Sequence, residues 1–265
     1  MHRLRHAARR VRQTLAAFDN SAALLSGMTR GRLTGEPTEL EFRVHGLTVT
    51  VPNRKGARVP VYEVFAEDAY RLSWFTAGLD PTFVAVDIGA HVGCFSVALA
   101  HQAPGVHISA YEASPSTAAY LQRNVVANRL GDQVSTHAAA VSSSTGVLEF
   151  ADNDSASALN GLTAPAGATL VEVPCVTVAQ AFAGAPGPVQ LVKIDTEGAE
   201  YDLVLASDPE HWASVRRVVL EYHDVPGHSW GELERFFGRA GLHQIAHEPE
   251  TPRQGTVWLS RDGLA

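Results

Sequence analysis

Apolar residues fall in short blocks along this chain, and the spacing inside each block separates strands from helices. From Leu40 to Val51 apolar and polar positions alternate, with Leu40, Phe42 and Val44, then Leu47, Val49 and Val51, sharing a parity across His45-Gly46. That pattern predicts a β-hairpin. Downstream, apolar runs at Phe83–Asp87, Val106–Tyr111, Val134–Ala140, Gln190–Ile194 and Val215–Glu221 predict buried strands. Helix-like segments near Gly93–Gln102, Ser116–Asn128, Glu200–Ala206 and Trp230–Ala240 follow four of them. The alternation predicts a doubly wound α/β domain whose mostly parallel sheet is covered by helices. Right-handed crossovers then place the carboxyl ends of its strands along one rim. Between the third and fourth strands, Gly146–Phe150 and Thr169–Val173 predict an inserted strand pair, with an exposed loop at Asp152–Ser157 and Gly161–Gly167. Leu242–Glu248 and Thr256–Ser260 predict two final strands that complete the sheet antiparallel.

The N-terminal segment reads differently. Leu4, Ala8, Val11, Leu15 and Phe18 recur at helical spacing among Arg3, Arg5, Arg9, Arg10 and Arg12, and no acid precedes Asp19. This predicts a basic amphipathic helix whose apolar stripe packs on its own domain, with an anionic membrane or a partner as the competing use. Val59–Phe75 reads as mostly helical; its aromatics suit the core, and its position before the first core strand suits a lid. The expected division is an extension over residues 1–80 and a main domain over 81–265.

The most informative stretch is Asp87-Ile88-Gly89-Ala90-His91-Val92-Gly93, where an apolar strand ends in Asp-x-Gly-x-x-x-Gly and opens into a helix. Such a turn brings backbone close to a nucleotide cofactor, but His91 stands where a dinucleotide fingerprint needs its middle glycine. A phosphate-free adenosyl ligand fits better, and S-adenosylmethionine adds a cationic sulfonium and ammonium that Asp87 can help hold. Gly89, Ala90, His91 and Gly93 form the remainder of that turn. Glu112, at the tip of the second strand, lies where a carboxylate accepts ribose hydroxyls. The bland alternatives are a glycine cap at the turn and a helix-capping role for Glu112, with Ser114 and Pro115 starting the helix.

Composition narrows the class. A chain of 265 residues with 45% hydrophobic residues can bury one large core with modest additions. A net charge of -7 argues against a general nucleic-acid-binding surface. Cys94 and Cys175 lack metal-ligand spacing and read as reduced, buried thiols. With no apolar run of membrane-spanning length and no signal-peptide core, the expected location is the cytoplasm.

Two further strand ends carry chemistry. One reads Lys193-Ile194-Asp195-Thr196-Glu197-Gly198-Ala199-Glu200 and the other Glu221-Tyr222-His223-Asp224. If these strands are neighbours, Asp195 and His223 emerge beside the cofactor cleft as candidate catalytic residues. They could orient the methyl donor, deprotonate an acceptor hydroxyl, or join Glu221 in chelating a divalent cation. Glu200 alone is best explained as a favourable charge at a helix N-terminus. Lys193, inside an apolar strand, reads as a paired buried ammonium.

These blocks, with Tyr111-Glu112-Ala113-Ser114-Pro115 between them, resemble in order the FkbM family of S-adenosylmethionine-dependent methyltransferases. The likeness spans about Phe83 to His223. It implies the class I methyltransferase (Rossmann-like) fold and O-methylation of a hydroxyl on a small molecule such as a natural product or sugar. Residue by residue, it assigns Asp87, Gly89 and Gly93 to the methionine end, Glu112 to the ribose, and Asp195 to the rim facing the transferred methyl. His91 replaces the commoner Asn, and Ala113 replaces the commoner Pro. The competing readings are a nicotinamide-dependent oxidoreductase and a catalytically silent module that binds cofactor or partner.

Overall fold

The structure, a computed structural model, describes residues 2–54, 56–151 and 170–263. The expected loop over 152–167 lies outside the described residues. Helices α1 (His2–Ala17) and α2 (Ser21–Thr34) lead into the hairpin β1 (Glu39–Val44) and β2 (Leu47–Pro52). The hairpin pairs Leu40 with Val51 and Phe42 with Val49, as the alternation predicts. His45 and Gly46 both take positive φ at its two-residue turn. Val59–Phe75 forms two short helices rather than one, α3 (Val59–Phe65) and α4 (Leu72–Phe75), because Asp68 and Arg71 adopt left-handed backbone between them.

The main domain begins with β3 (Val84–Ile88), α5 (Cys94–Gln102), β4 (His107–Glu112), α6 (Pro115–Ala127) and β5 (Val134–Ala138). The strand expected over Val134–Ala140 divides there. Its end becomes β6 (Ala140–Ser142), which joins β7 (Gly146–Ala151) and β8 (Leu170–Thr177) in a separate three-stranded sheet of order β6-β8-β7. The chain continues through α7 (Val178–Ala183), β9 (Val189–Ile194), α8 (Glu200–Leu205), β10 (Arg217–Tyr222), α9 (Trp230–Arg239), β11 (His243–Thr251) and β12 (Gln254–Ser260).

The central sheet has the order β11-β12-β10-β9-β3-β4-β5. Five strands run parallel, and β12 pairs antiparallel with both β10 and β11. From β3 the chain winds outward through β4 and β5, then returns to place β9 on the other side of β3. The boundary between β3 and β9 is therefore the topological switch point, where open α/β sheets bind ligands beyond the strand ends. Every residue of β3 is buried, which explains its uninterrupted apolar run.

One core cluster joins Phe18, Leu24, Phe42 and Val49 of the N-terminal elements to Phe95, Ile108 and Leu121 of the main domain. Polar contacts reinforce that join. Asn124 accepts the Thr50 amide at 2.8 Å and donates to the carbonyls of Thr50 at 3.0 Å and Val92 at 2.8 Å. Asn128 accepts the Thr48 amide at 2.8 Å and donates to its carbonyl at 2.7 Å. Two asparagines one helical turn apart thus satisfy β2 much as a neighbouring strand would.

Helix α1 corrects an expectation. It docks through Arg10, Gln13, Thr14 and Phe18, while Ala8, Val11 and Leu15 of the apolar stripe face outward. The polar bonds fix the helix's rotation, and hydrophobic spacing alone did not reveal them. Helices α2 and α7 have no counterpart in the sequence expectation. In α2 only Leu24 and Gly27 are buried, too few to print a period. For α7 a signal existed: Thr177 and Gln180 form a capping box.

Candidate active site

Gly89 lies where the two halves of the switch point meet. Its φ of 76° is left-handed, and a Cβ there would overlap the carbonyl oxygen of Asp195. The Asp195 amide donates to the carbonyl of Ile88 at 3.0 Å, and the amides of Gly89 and Ala90 both donate to the carbonyl of Tyr111. Three strand ends are therefore stitched together by backbone. Gly93, at φ 88°, caps α5 so closely that a Cβ would come within 2.6 Å of Leu121 Cδ1. The turn's glycines serve internal packing as well as any ligand.

Glu112 sits beside this turn. Its Oε2 accepts the His91 amide at 2.8 Å and its Oε1 accepts the Ser114 amide at 2.9 Å, leaving lone pairs on both oxygens. Burial pushes its carboxyl up to about 7, against the pull of those two amides and of Lys193. Ser114 caps α6 by accepting the Thr117 amide at 3.2 Å, so helix capping falls to Ser114 rather than to Glu112.

Asp87 has no exposed surface. It accepts a hydrogen bond from Ser96 Oγ at 2.7 Å, and its other oxygen faces Lys193 Nζ at 3.4 Å. Burial raises its pKa, and Lys193 and Ser96 oppose that rise. Lys193 donates to the Gly89 carbonyl at 2.6 Å and lies 3.5 Å from Asp195 Oδ2. Burial works to discharge this ammonium, but Asp87, Asp195 and Glu221 outweigh it and raise its pKa. The paired buried ammonium expected from sequence is present, and it binds the turn to the rim of strand ends.

On that rim Glu200 is the surprise. Fully buried, it accepts the backbone amides of His223 at 2.6 Å and Gly198 at 2.9 Å and the Thr196 hydroxyl at 3.2 Å. Its Oε1 also lies 3.2 Å from His223 Nδ1. Position at a helix start suggested only a dipole partner, whereas the strand pairing of β9 with β10 makes Glu200 the anchor of His223. The other ring nitrogen, Nε2, lies 3.4 Å from Glu197 Oε2. Burial works to lower the His223 pKa, but the Glu200 bond and the charges of Glu200, Asp195 and Glu197 push it up to about 9. Those three carboxylates favour the charged form of the ring.

Ligand atoms of Asp195, Glu197 and His223 all lie within 4.8 Å of one another. Glu197 thus takes the place expected for Glu221. Glu221 instead accepts the Tyr70 hydroxyl at 2.9 Å, and burial with the charge of Asp195 raises its pKa. Tyr70 comes from the loop between α3 and α4, so the segment before the cofactor turn does reach the rim. Glu63 of α3 also feels Asp195; burial first, then that charge, pushes it up to about 7. The described rim therefore concentrates carboxyl groups around one ammonium, an arrangement suited to a cationic ligand.

The chain is 26% identical over 235 residues to the 31-O-demethyl-FK506 methyltransferase FkbM of Streptomyces tacrolimicus, covering 77% of this chain and 88% of that one. It is 29% identical over 196 residues to the methyltransferase sdnD of Sordaria araneosa, covering 62% and 74% respectively. Among solved structures, the METTL16 methyltransferase domain superposes with a TM-score of 0.52 at 12% identity, covering 92% of this chain and 81% of that one. That likeness shows the class I methyltransferase fold alone. The methyltransferase FkbM domain matches residues 87–243, from the first acid of the turn to the start of β11, and on that match this chain belongs to the FkbM methyltransferase family.

Proposed function

We propose that this protein transfers a methyl group from S-adenosylmethionine to a hydroxyl of a small molecule, in the cytoplasm. The observation that carries this reading is the meeting of Gly89 with Asp195 at the switch point, which holds the cofactor turn against the carboxylate rim. The cofactor fits the residues present. Gly89 and Gly93 let the turn pack closely against Asp195 and Leu121, Glu112 retains lone pairs for ribose hydroxyls, and the carboxyl-rich rim matches a sulfonium and an ammonium. Ala90 and His91 contribute the backbone between those glycines. When bound, S-adenosylmethionine supplies an electrophilic methyl carbon.

The chain's own task is to align the acceptor oxygen and take its proton. Asp195 is the leading proton acceptor, because it lies on the rim with a partly exposed side chain and is held in place by Lys193. His223 is second, because only the neutral ring accepts a proton and Glu200 and Glu197 favour the charged one. Asp87, sealed from solvent, acts through Ser96 and Lys193 as a positioning residue. The name of one relative, the 31-O-demethyl-FK506 methyltransferase FkbM, supports O-methylation.

A specific observation favours a second version of the proton step. Asp195, Glu197 and His223 offer three donors of the right hardness for a divalent cation, and Glu200 behind His223 Nδ1 is the kind of support that orients a ligating imidazole. A cation there would lower the acceptor's pKa. Two measurements test the proposal. Purified protein should bind S-adenosylhomocysteine by calorimetry, and should methylate members of a panel of hydroxyl compounds while ignoring their O-methyl ethers. Retained NAD with no affinity for S-adenosylhomocysteine would overturn the cofactor assignment. Asp195→Asn should lower turnover by about 10²–10⁴-fold with cofactor affinity nearly kept. Full activity after exhaustive chelation removes the cation version, whereas loss restored by magnesium or manganese supports it.

A further inference from the structure

Among its described side chains, helix α1 is fastened by one face. Arg10 Nη1 and Gln13 Nε2 each donate to Glu67 at 2.8 Å, and Thr14 shares a 2.8 Å hydrogen bond with the Tyr62 hydroxyl. The Arg10 guanidinium lies 4.6 Å from the centre of the Tyr62 ring. Just past the helix, Phe18 closes an edge-to-face cluster with Phe42 and Tyr62 at 4.9 and 5.5 Å. Together these contacts set the helix's rotation about its axis. What they leave outside is the apolar stripe: Ala8, Val11 and Leu15 are exposed, Val11 at 42% and Leu15 at 59%.

Charge says what such a face suits. Residues 1–58 hold 11 of the chain's 21 Lys and Arg but only 4 of its 28 Asp and Glu, so an acidic protein carries a basic end. Arg12, adjacent to Val11 on the exposed side, has no ion pair among the described residues. Arg9 remains 60% exposed although its tip reaches Glu67. An apolar stripe bordered by arginines matches an interface where hydrocarbon lies just beneath negative charge. A second copy would bring arginine against arginine across a two-fold axis. A nucleic acid would satisfy the arginines and leave Val11 and Leu15 in water, with no aromatic in the stripe to stack on a base.

We propose that the outward face of α1 docks this protein on an anionic lipid surface, with Val11 and Leu15 at the headgroup–acyl boundary and Arg9 and Arg12 at the phosphates. The docking is independent of methyl transfer, because none of these residues belongs to the cleft.

The test is co-sedimentation of the full chain with vesicles of phosphatidylcholine, with and without phosphatidylglycerol. Binding should require the anionic lipid and weaken as salt rises. Val11→Asp/Leu15→Asp should reduce it at least about tenfold, since two apolar contacts are lost and two repulsive charges gained. Arg12→Glu should also reduce it, by a smaller factor. Both variants change exposed side chains, so their thermal unfolding and S-adenosylhomocysteine affinity should match wild type, and this shows that the lost binding is not misfolding. Equal sedimentation with neutral and anionic vesicles would overturn the proposal, as would undiminished binding by the double variant. A wild-type dimer in solution that Val11→Asp/Leu15→Asp converts to monomer, without vesicle binding, would assign the stripe to self-association instead. Tight binding of a short RNA unaffected by that double substitution, with no vesicle binding, would equally sink the lipid assignment.

Discussion

The glycine turn and the carboxylate rim are neighbours at one switch point, yet they are built in opposite ways. The turn is held by backbone amides: Gly89, Ala90 and His91 donate to Tyr111 or Glu112, and Gly89, His91 and Gly93 take left-handed φ. The rim is held by charge, with Glu200 on His223, His223 near Glu197, and Lys193 between Asp87 and Asp195. A backbone-built site tolerates little change of shape but much change of pH. A charge-built site has the reverse sensitivity.

Gly89→Ala breaks the contrast most severely. Its methyl group has no room beside the Asp195 carbonyl, and the left-handed φ adds strain, so both halves separate at once. We expect a loss of more than about 4 kcal/mol, seen as failure to fold or a collapsed denaturation midpoint. Near-normal stability would show that the two strand ends are not rigidly joined.

Lys193→Met comes next. It removes the ammonium shared by Asp87 and Asp195, and leaves Asp87 buried with Ser96 as its remaining polar partner. Urea unfolding should record a loss of about 3–5 kcal/mol at neutral pH, shrinking as acid protonates the carboxyls. A loss that does not change with pH would mean that packing, not charge, explains the lysine.

Glu112 sharpens the comparison, because it is a titrating group in the backbone-built half. Glu112→Ala should weaken S-adenosylhomocysteine by about 1.5–3 kcal/mol in calorimetry. Unchanged affinity would remove this carboxylate from the ribose site. With its carboxyl pushed up to about 7, wild-type affinity should rise as pH increases through 7 and level off above. The sign follows from the carboxylate being the stronger acceptor, and from a folded-state pKa above its ordinary value of 4.5. In the unliganded protein the same shift works against stability, which Glu112 lowers as pH climbs from 4.5 towards 7. Glu112→Gln should flatten the binding profile.

How much of this was legible in the chain divides along the same line. The hairpin, the five parallel strands and Glu112 beside the glycine turn could all be read, because each depends on residues close in sequence or on an unbroken apolar run. Lys193 could also be read as paired, since a lysine within a buried strand has no other stable condition. The partnership of Glu200 with His223 could not, because 23 positions separate them and only the pairing of β9 with β10 unites them. Glu221 was placed in the wrong company for a similar reason: Tyr70, 151 residues away, claims its carboxyl. The facing of α1 was misjudged because Glu67 and Tyr62 outbid the apolar stripe for the docking side.

The asparagine pair on α6 bears on how the molecule opens. Asn124 holds Thr50 with one end of its amide and Val92, inside the cofactor turn, with the other, so the hairpin and the turn share a single fastening. Amide protons of Thr48 and Thr50 should exchange with solvent as slowly as those inside a sheet, although no strand pairs with them on that side. They should also be released together with the turn, in one cooperative opening. The N-terminal hairpin is then a clasp for the cleft, and a chain trimmed back to residue 81 would lose the order of its cofactor turn before it lost its central sheet.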